Sequence, residues 1–424
     1  MRSRTLPVLL PGLVAATLLS VGARPAGQTQ SQTAPPAGQL TFRSTTSLVE
    51  VDLIVRDDHN QFVGDLSSAD LDIREDGKPQ TVEQCYLVRS SEGSAFASIN
   101  GTPAPDDAPA HRVFVLVFDE SDLETSALLR MKDGATKFLN SQFAEGDFGG
   151  VVVNGELFQG KLTRSRSTLL AAVRAVKPSF DSRQSRLLPF RMFPRIPGES
   201  EAHRIALGDQ NLIVQLGTQA CQDDPVACNA AGGLQQVENQ LQQKARLYLG
   251  MARDATRYTL ESLQHVIGAL ATMPGRKTVV FLSDGFFTAE SLGELHRLAG
   301  MAARAGEAIY AIDGKGLAGG PPESPDVLTR EAPIDGGLDR SDDGSGLLAD
   351  GTGGLVIRHA TDIETALDRI AADTSTYYVV GYRPTNSAMD GTFRKIEVKT
   401  KRPGLHIRSR TGYIALPLPP LAIK

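Results

Sequence analysis

The rhythm of apolar positions changes twice along the chain. Val49, Val51, Leu53 and Val55 alternate with Glu50, Asp52 and Arg56, the period of two expected of a half-buried strand. A turn follows at 57–60, and Ser67 is placed to cap one helical turn ending at Asp70. Strands are predicted over 71–74 and 81–88, joined across the hairpin signal Asp76-Gly77. From 112 the pattern is different. The run RVFVLVF at 112–118 is continuously apolar, as in a strand buried on both faces. Leu128, Met131, Ala135, Phe138 and Leu139 then recur at helical spacing. Further apolar strands are predicted at 150–153, 278–282, 308–312 and 355–357. Helices are marked by Leu169, Leu170 and Val173, by Leu260, Leu263, Ile267 and Leu270, by Leu292, Leu295 and Leu298, and over 362–373. Beyond 374 the β pattern returns in strands at 377–382, 393–400 and 405–408, with turns at Pro384-Thr385-Asn386 and Arg402-Pro403-Gly404.

Strands alternating with amphipathic helices imply an α/β fold, a mostly parallel sheet with helices on both faces. The flanking β-segments are each too small to be stable alone, so they are expected to pack together as two halves of a small β-sandwich with the α/β domain inserted between them. The chain then divides into a leader at 1–26, a disordered linker at 27–40, an N-terminal β-segment at 41–90 and a linker at 91–110. The α/β domain follows at 111–375, and a C-terminal β-segment at 376–416 packs with 41–90. Two irregular loops are expected inside the α/β domain, 180–208 and 314–351, the second disordered because it is rich in Gly, Asp and Pro.

The 424 residues are 41% hydrophobic and 22% charged, ordinary globular values, with a net charge of −5. Without a basic block, nucleic-acid binding is not expected. Arg2 and Arg4 precede an apolar stretch at 6–21 that ends in small residues, the pattern of a cleaved signal peptide. The stretch is short for spanning ~30 Å of hydrocarbon and is interrupted by Pro11. The expectation is a secreted or periplasmic protein with no membrane span after cleavage. Export makes a disulfide between Cys221 and Cys228, around the polar loop 222–225, the natural pairing, with Cys85 as a buried free thiol.

Two strand ends carry oxygen-rich side chains: Asp119-Glu120-Ser121-Asp122 after the first buried strand, and Ser283-Asp284 after the strand at 278–282. In an open α/β sheet the ligand site lies at the carboxyl ends of the strands, and clustered carboxylates and hydroxyls suit a hard cation such as Mg²⁺. The competing reading is structural: Asp119 capping the next helix, Asp284-Gly285 making a turn.

The runs VFVLVFDES and FLSDGF resemble a von Willebrand factor A (VWA) domain with its metal-ion-dependent adhesion site. The segments VDLIVRDDHNQFVGDLSSADLDIREDGKPQTV and YYVVGYRPTNSAMDGTFRKIEVKTKRPGLHIRSRTGYIA are similar to the β-segments enclosing the VWA domain in exported VWA-related proteins abundant in acidobacteria. The resemblance implies metal ligation by Asp119, Ser121 and Asp284. It implies a further ligand, Thr259, placed before the helix that leads to the second strand. The second serine of the motif is Leu123, which donates nothing, and Arg257-Tyr258 stand where small residues usually precede the threonine. The site is a degenerate one that would bind Mg²⁺ weakly, and Leu123→Ser is expected to strengthen it.

The implied function is non-catalytic: a protein partner held at the upper face of the α/β domain, in interaction or adhesion. The alternatives are a structural or assembly component of the cell envelope with a vestigial metal site, and a metal-dependent hydrolase using Asp119 as nucleophile. For the hydrolase the nearest basic groups, Arg276 and Lys277, precede their strand at its wrong end. The histidines show neither metal-site nor triad spacing.

Overall fold

The computed structural model describes residues 48–89, 95–98, 112–179, 185, 188–273, 275–286, 288, 291–313, 344–358, 360 and 362–419. The expected leader and first linker lie outside these residues. So does most of the second loop.

Strands β1 (Val49–Asp57), β2 (Leu71–Glu75), β3 (Lys78–Gln80), β4 (Val82–Arg89) and β5 (Ala95–Ser98) precede the α/β domain. Residues 95–98 were expected within a linker; instead they pair with β4. Asp76 and Gly77 both have positive φ (49° and 76°), the geometry that a two-residue hairpin between β2 and β3 requires.

The α/β domain then runs β6 (Val113–Phe118), α1 (Thr125–Ser141), β7 (Phe148–Val153), β8 (Glu156–Leu157) and α2 (Arg166–Ala175). It continues with α3 (Glu199–Ala206), α4 (Gln210–Asp223), α5 (Pro225–Ala230), α6 (Leu234–Leu270) and β9 (Lys277–Ser283). The last elements are α7 (Leu292–Arg304), β10 (Glu307–Asp313), α8 (Gly344–Thr352), β11 (Val356–Ile357) and α9 (Ile363–Ser375). Its sheet has the order β11-β10-β9-β6-β7-β8, parallel throughout except for the β7–β8 hairpin. Alternate residues of β6 enter opposite cores. Phe114, Leu116 and Phe118 pack with α1, α2 and α9, whereas Val113, Val115 and Val117 pack with α6, α7 and α8. The chain leaves β6 first toward β7 and later returns beside it as β9, so the topological switch point lies between β6 and β9.

Four strands close the chain: β12 (Thr376–Tyr382), β13 (Phe393–Thr400), β14 (Leu405–Arg408) and β15 (Gly412–Ile414). They interleave with the N-terminal strands in two antiparallel sheets, β14-β1-β12-β4-β5 and β15-β13-β2-β3. Val51, Leu53, Val55, Ile73, Tyr378, Val380 and Ile396 share the core between them. Charge adds to this burial. Residues 48–89 hold ten Asp and Glu against four Lys and Arg, and residues 376–419 hold two against eight. Cross-half pairs follow: Arg402 with Asp65, Arg383 with Glu83 and His406 with Asp58. Each lies at the surface and is individually weak, but like charges across the halves would oppose pairing. At the junction with the α/β domain, Asp373 is buried between Arg56 and Arg408, and the Arg276 guanidinium lies over the Tyr377 ring, 3.5 Å from Asp52.

Two expected loops need correction. In 180–208 the described part contains a single-turn helix at Leu188–Arg191 and helix α3. With α4, α5 and the first half of α6 they enclose a core of their own, including Phe190, Ile205, Leu212, Val237, Leu241 and Tyr248. Lys244 of α6 donates to the carbonyls of Met192 and Phe193, both at 3.1 Å, which binds this Arg- and Pro-rich stretch to the helix. In 314–351, residues 344–351 belong to α8. Its glycines allow contact that larger residues would prevent: Gly344 meets the Phe286 ring and Gly351 meets Ala299. Tertiary packing outweighs their poor helix propensity.

Candidate functional site

Strand β6 is apolar on both faces and ends at the first residue that cannot be buried without partners, Asp119. Phe118 stands opposite Leu282 in β9, and the Asp119 N–H donates to the Leu282 carbonyl at 2.9 Å. This ladder bond aligns the two strand ends and sets Ser283 beside Asp119. Beyond it, the N–H groups of Asp122 and Leu123 return to the Asp119 carbonyl at 3.1 and 2.9 Å, forming a tight turn before α1.

Three hydroxyls donate to the Asp119 carboxylate. Ser121 and Thr259 reach Oδ1 at 2.9 and 3.0 Å, and Ser283 reaches Oδ2 at 2.7 Å. The Ser121 and Thr259 oxygens are themselves 3.3 Å apart. Asp119, Ser121, Thr259 and Ser283 are all buried. Their convergence comes from β6, the turn after it, β9 and α6. Thr259 was expected before a helix; it sits inside the 37-residue α6, on the face turned toward the sheet. That helix begins at Leu234, because the apolar series Val237, Leu241, Ala245, Tyr248 and Leu249 continues upstream of Leu260.

The other candidate carboxylate is placed differently. Asp284 is buried, and its Oδ2 accepts the backbone N–H of Glu124 at 2.9 Å, at the start of α1. An anion there offsets the unpaired N–H groups and the positive end of the helix dipole. The capping role considered for Asp119 therefore falls to Asp284, while the Asp119 side chain receives side-chain hydroxyls. The Leu123 side chain belongs to the core. It is fully buried in the apolar cluster with Ala127, Leu128 and Leu282. The expectation that a serine at 123 would strengthen the site is withdrawn on that ground, since its hydroxyl would enter a hydrocarbon environment.

Ser283 and Glu120 are the residues whose roles sequence reasoning missed. The available signal for Ser283 was a hydroxyl directly before the strand-end aspartate. Glu120 is buried and accepts the Asn154 N–H at 3.0 Å, which ties the β7–β8 turn to the site. Burial raises its carboxyl above the ordinary glutamate value and the neighbouring Asp119 adds to this, against the Asn154 N–H and Lys132. Tyr258, half exposed at the rim, has its phenol raised by burial and then by the carboxylates of Glu120, Asp119 and Glu156.

No group of three or more His, Cys, Asp or Glu side chains among the described residues is arranged to hold a metal. The fit of a cation therefore rests on hydroxyls. A hydroxyl that gives its proton to a carboxylate can still ligate through oxygen. Such an all-oxygen set suits Mg²⁺, which takes few protein ligands and retains water. Asp119, Ser121, Thr259 and Ser283 are gathered; Asp284 is joined to them through the start of α1.

Elsewhere, Cys221 and Cys228 are joined, with their Cα atoms 4.9 Å apart. The segment between them is a helix-to-helix corner, in which Asp224 caps α5 through the Ala227 N–H at 2.9 Å. Cys85 is a buried free thiol, pushed up to about 11 by burial. Lys277 opens β9, at the opposite end from Ser283, buried and donating to the carbonyls of Met273 and Ala305. Among the described residues no helix is long and apolar enough to cross a membrane.

No protein-family model matches the sequence, and no curated protein does. Two solved structures are similar over 62% of this chain. One is an aerotolerance-related membrane protein from Bacteroides fragilis carrying multiple mutations to serine, at 14% identity, 98% coverage of that chain and a TM-score of 0.31. The other is the conserved hypothetical protein BatB from Bacteroides thetaiotaomicron, at 16% identity, 97% coverage of that chain and a TM-score of 0.31.

Proposed function

We propose that this chain is a non-catalytic, exported VWA-type interaction protein that holds a protein partner at the β6–β9 end of its parallel sheet through a weakly bound divalent cation. The observation that carries the reading is the convergence of three hydroxyls on one buried carboxylate at the topological switch point. A helix cap or a simple turn has no use for that arrangement. Asp119, Ser121 and Thr259 would hold the cation, with Asp284 at the neighbouring strand end, where it binds the start of α1. A bound Mg²⁺ supplies an electrophilic centre for an acidic group of the partner. Export is supported by the leader-like pattern at 1–26 and by the Cys221–Cys228 disulfide, which needs an oxidising compartment.

A cation that binds only the folded state stabilises it by RT ln(1 + [L]/Kd), about 1.4 kcal/mol at ten times Kd. The expected outcome is an upward melting shift in millimolar MgCl₂ that Asp119→Ala abolishes, and cation-dependent recovery of a partner from the envelope fraction. No shift in the wild type would remove the cation from the reading. Equal recovery of the partner with and without Mg²⁺ would remove it from the interaction.

A second reading has its own observation. Asp284 is spent on the start of α1 and Leu123 on the core, as in a site retained for structure. An envelope assembly component with a vestigial site would melt identically with and without Mg²⁺.

A further inference from the structure

We infer that Ser283 supplies the hydroxyl ligand that position 123 lacks, so that the cation site is completed from β9 across the strand ladder. The inference rests on the cation reading above and adds to it a residue outside the motif that suggested it.

The carboxylate of Asp119 has two oxygens, and the hydroxyls divide between them. Ser121 and Thr259 reach Oδ1, while Ser283 reaches Oδ2 at 2.7 Å, the shortest of the three. A hydroxyl has one proton and two lone pairs. Ser283 gives its proton to Asp119 and accepts the Gly285 N–H at 3.0 Å, which leaves one lone pair to offer. Its position is determined by backbone rather than by rotamer choice alone: the Phe118–Leu282 register and the bond from Asp119 N–H to the Leu282 carbonyl fix it beside Asp119. Ser283 is only 2% exposed, so a hydroxyl with unused acceptor capacity is held at a buried site. Leu123, by contrast, is 0% exposed within the apolar cluster on the α1 face and carries no oxygen. The turn 119–123 thus gives one hydroxyl, α6 the second, and β9 the third.

The competing account is that Ser283 merely braces Asp119 and the Gly285 turn. The two differ in what they predict for affinity. The test is a titration of the full mature chain with MnCl₂, a paramagnetic substitute for Mg²⁺, with free Mn²⁺ counted by electron paramagnetic resonance and the metal-free melting temperature recorded alongside. Ser283→Ala should weaken Mn²⁺ binding about tenfold or more, the scale on which even outer-shell changes act at metal sites. Ser283→Thr, which keeps the hydroxyl, should stay within about threefold of the wild type. A metal-free melting temperature that falls in Ser283→Ala while its Mn²⁺ affinity stays at the wild-type value would overturn the ligand role and leave the cation site standing. A wild type that binds no Mn²⁺ at millimolar concentration would overturn both. Should Ser283→Ala fail to fold, Ser283→Cys carries the test. A thiolate at a ligand position should reverse preference from Mn²⁺ toward the softer Cd²⁺ by about tenfold or more, measured against the wild type. An unchanged Cd²⁺-to-Mn²⁺ ratio in a folded Ser283→Cys would sink the inference.

Discussion

Asp119 and Asp284 follow neighbouring strands of one sheet, at the same end and both buried, yet they are satisfied in opposite ways. Asp119 is surrounded by side-chain hydroxyls drawn from three separate elements, whereas Asp284 accepts a backbone N–H from the helix that starts beside it. A backbone donor is lost only to proline, at a cost to the helix start, whereas each hydroxyl can be removed by a simple side-chain truncation. A carboxylate bound by hydroxyls is therefore a separable assembly that can be tuned for a ligand, while one bound by a helix start is tied to folding. That contrast is what makes Asp119 the better functional candidate of the two.

The largest expected effect comes from disturbing the turn between them. Leu123→Ser removes a fully buried leucine and buries a hydroxyl, which should destabilise by about 3–5 kcal/mol. Denaturant unfolding measures this, and Mg²⁺ should bind no more tightly to the variant. A near-neutral Leu123→Ser with raised affinity would show that position 123 does face the cation. Next in size, Asp284→Ala should cost about 1–2 kcal/mol by unfolding, the range for a lost helix cap, and Asp284→Asn about half of that because an acceptor remains. If Asp284→Ala leaves stability unchanged while abolishing Mg²⁺ binding, the division of labour drawn here is reversed. The smallest effect is one of pH. Because the folded-state carboxyl of Glu120 is raised by burial, its protonation favours the folded state, and that contribution fades as pH rises from the ordinary glutamate value through the raised one. Glu120→Gln keeps an acceptor for Asn154 and does not titrate. Its stability relative to wild type should rise over that window, followed by melting temperature from pH 4 to 8. A constant difference across the range would show that Glu120 titrates normally.

Much of this was legible in the sequence because the strongest signals are periodic. The continuous run at 112–118 and the alternation at 49–55 announce a parallel sheet and a flanking β-segment, and β1 does pair with β12 and β14 from the far end of the chain. Asp119, Ser121 and Asp284 could be placed because they directly follow such runs. What escaped was set by tertiary contact. Residues 199–206 carry only a short stripe, Ala202, Ile205 and Ala206, within an Arg- and Pro-rich stretch, and in residues 344–352 glycines are accepted for close packing. Thr259 was assigned to the right cluster but the wrong context, since the Gln-rich first turns of α6 dilute the apolar series that continues the helix. Ser283 could be seen at its strand end, yet its aim at Asp119 depends on the β6–β9 register, which no local pattern encodes.

The interleaving of the terminal strands has a consequence in time. Strand β4 ends at Arg89 and its partner β12 begins at Thr376, so the acidic half of the sandwich is made long before the basic half that completes it. At typical elongation rates of about 5–20 residues per second, that interval is roughly 15–60 s. Throughout it both edges of β1 and the β12-facing edge of β4 lack the strands that pair with them in the finished sheet. Their surplus of acidic residues is then a safeguard of synthesis: the unfinished segments of neighbouring copies repel one another until the cationic final strands emerge and close the sheet.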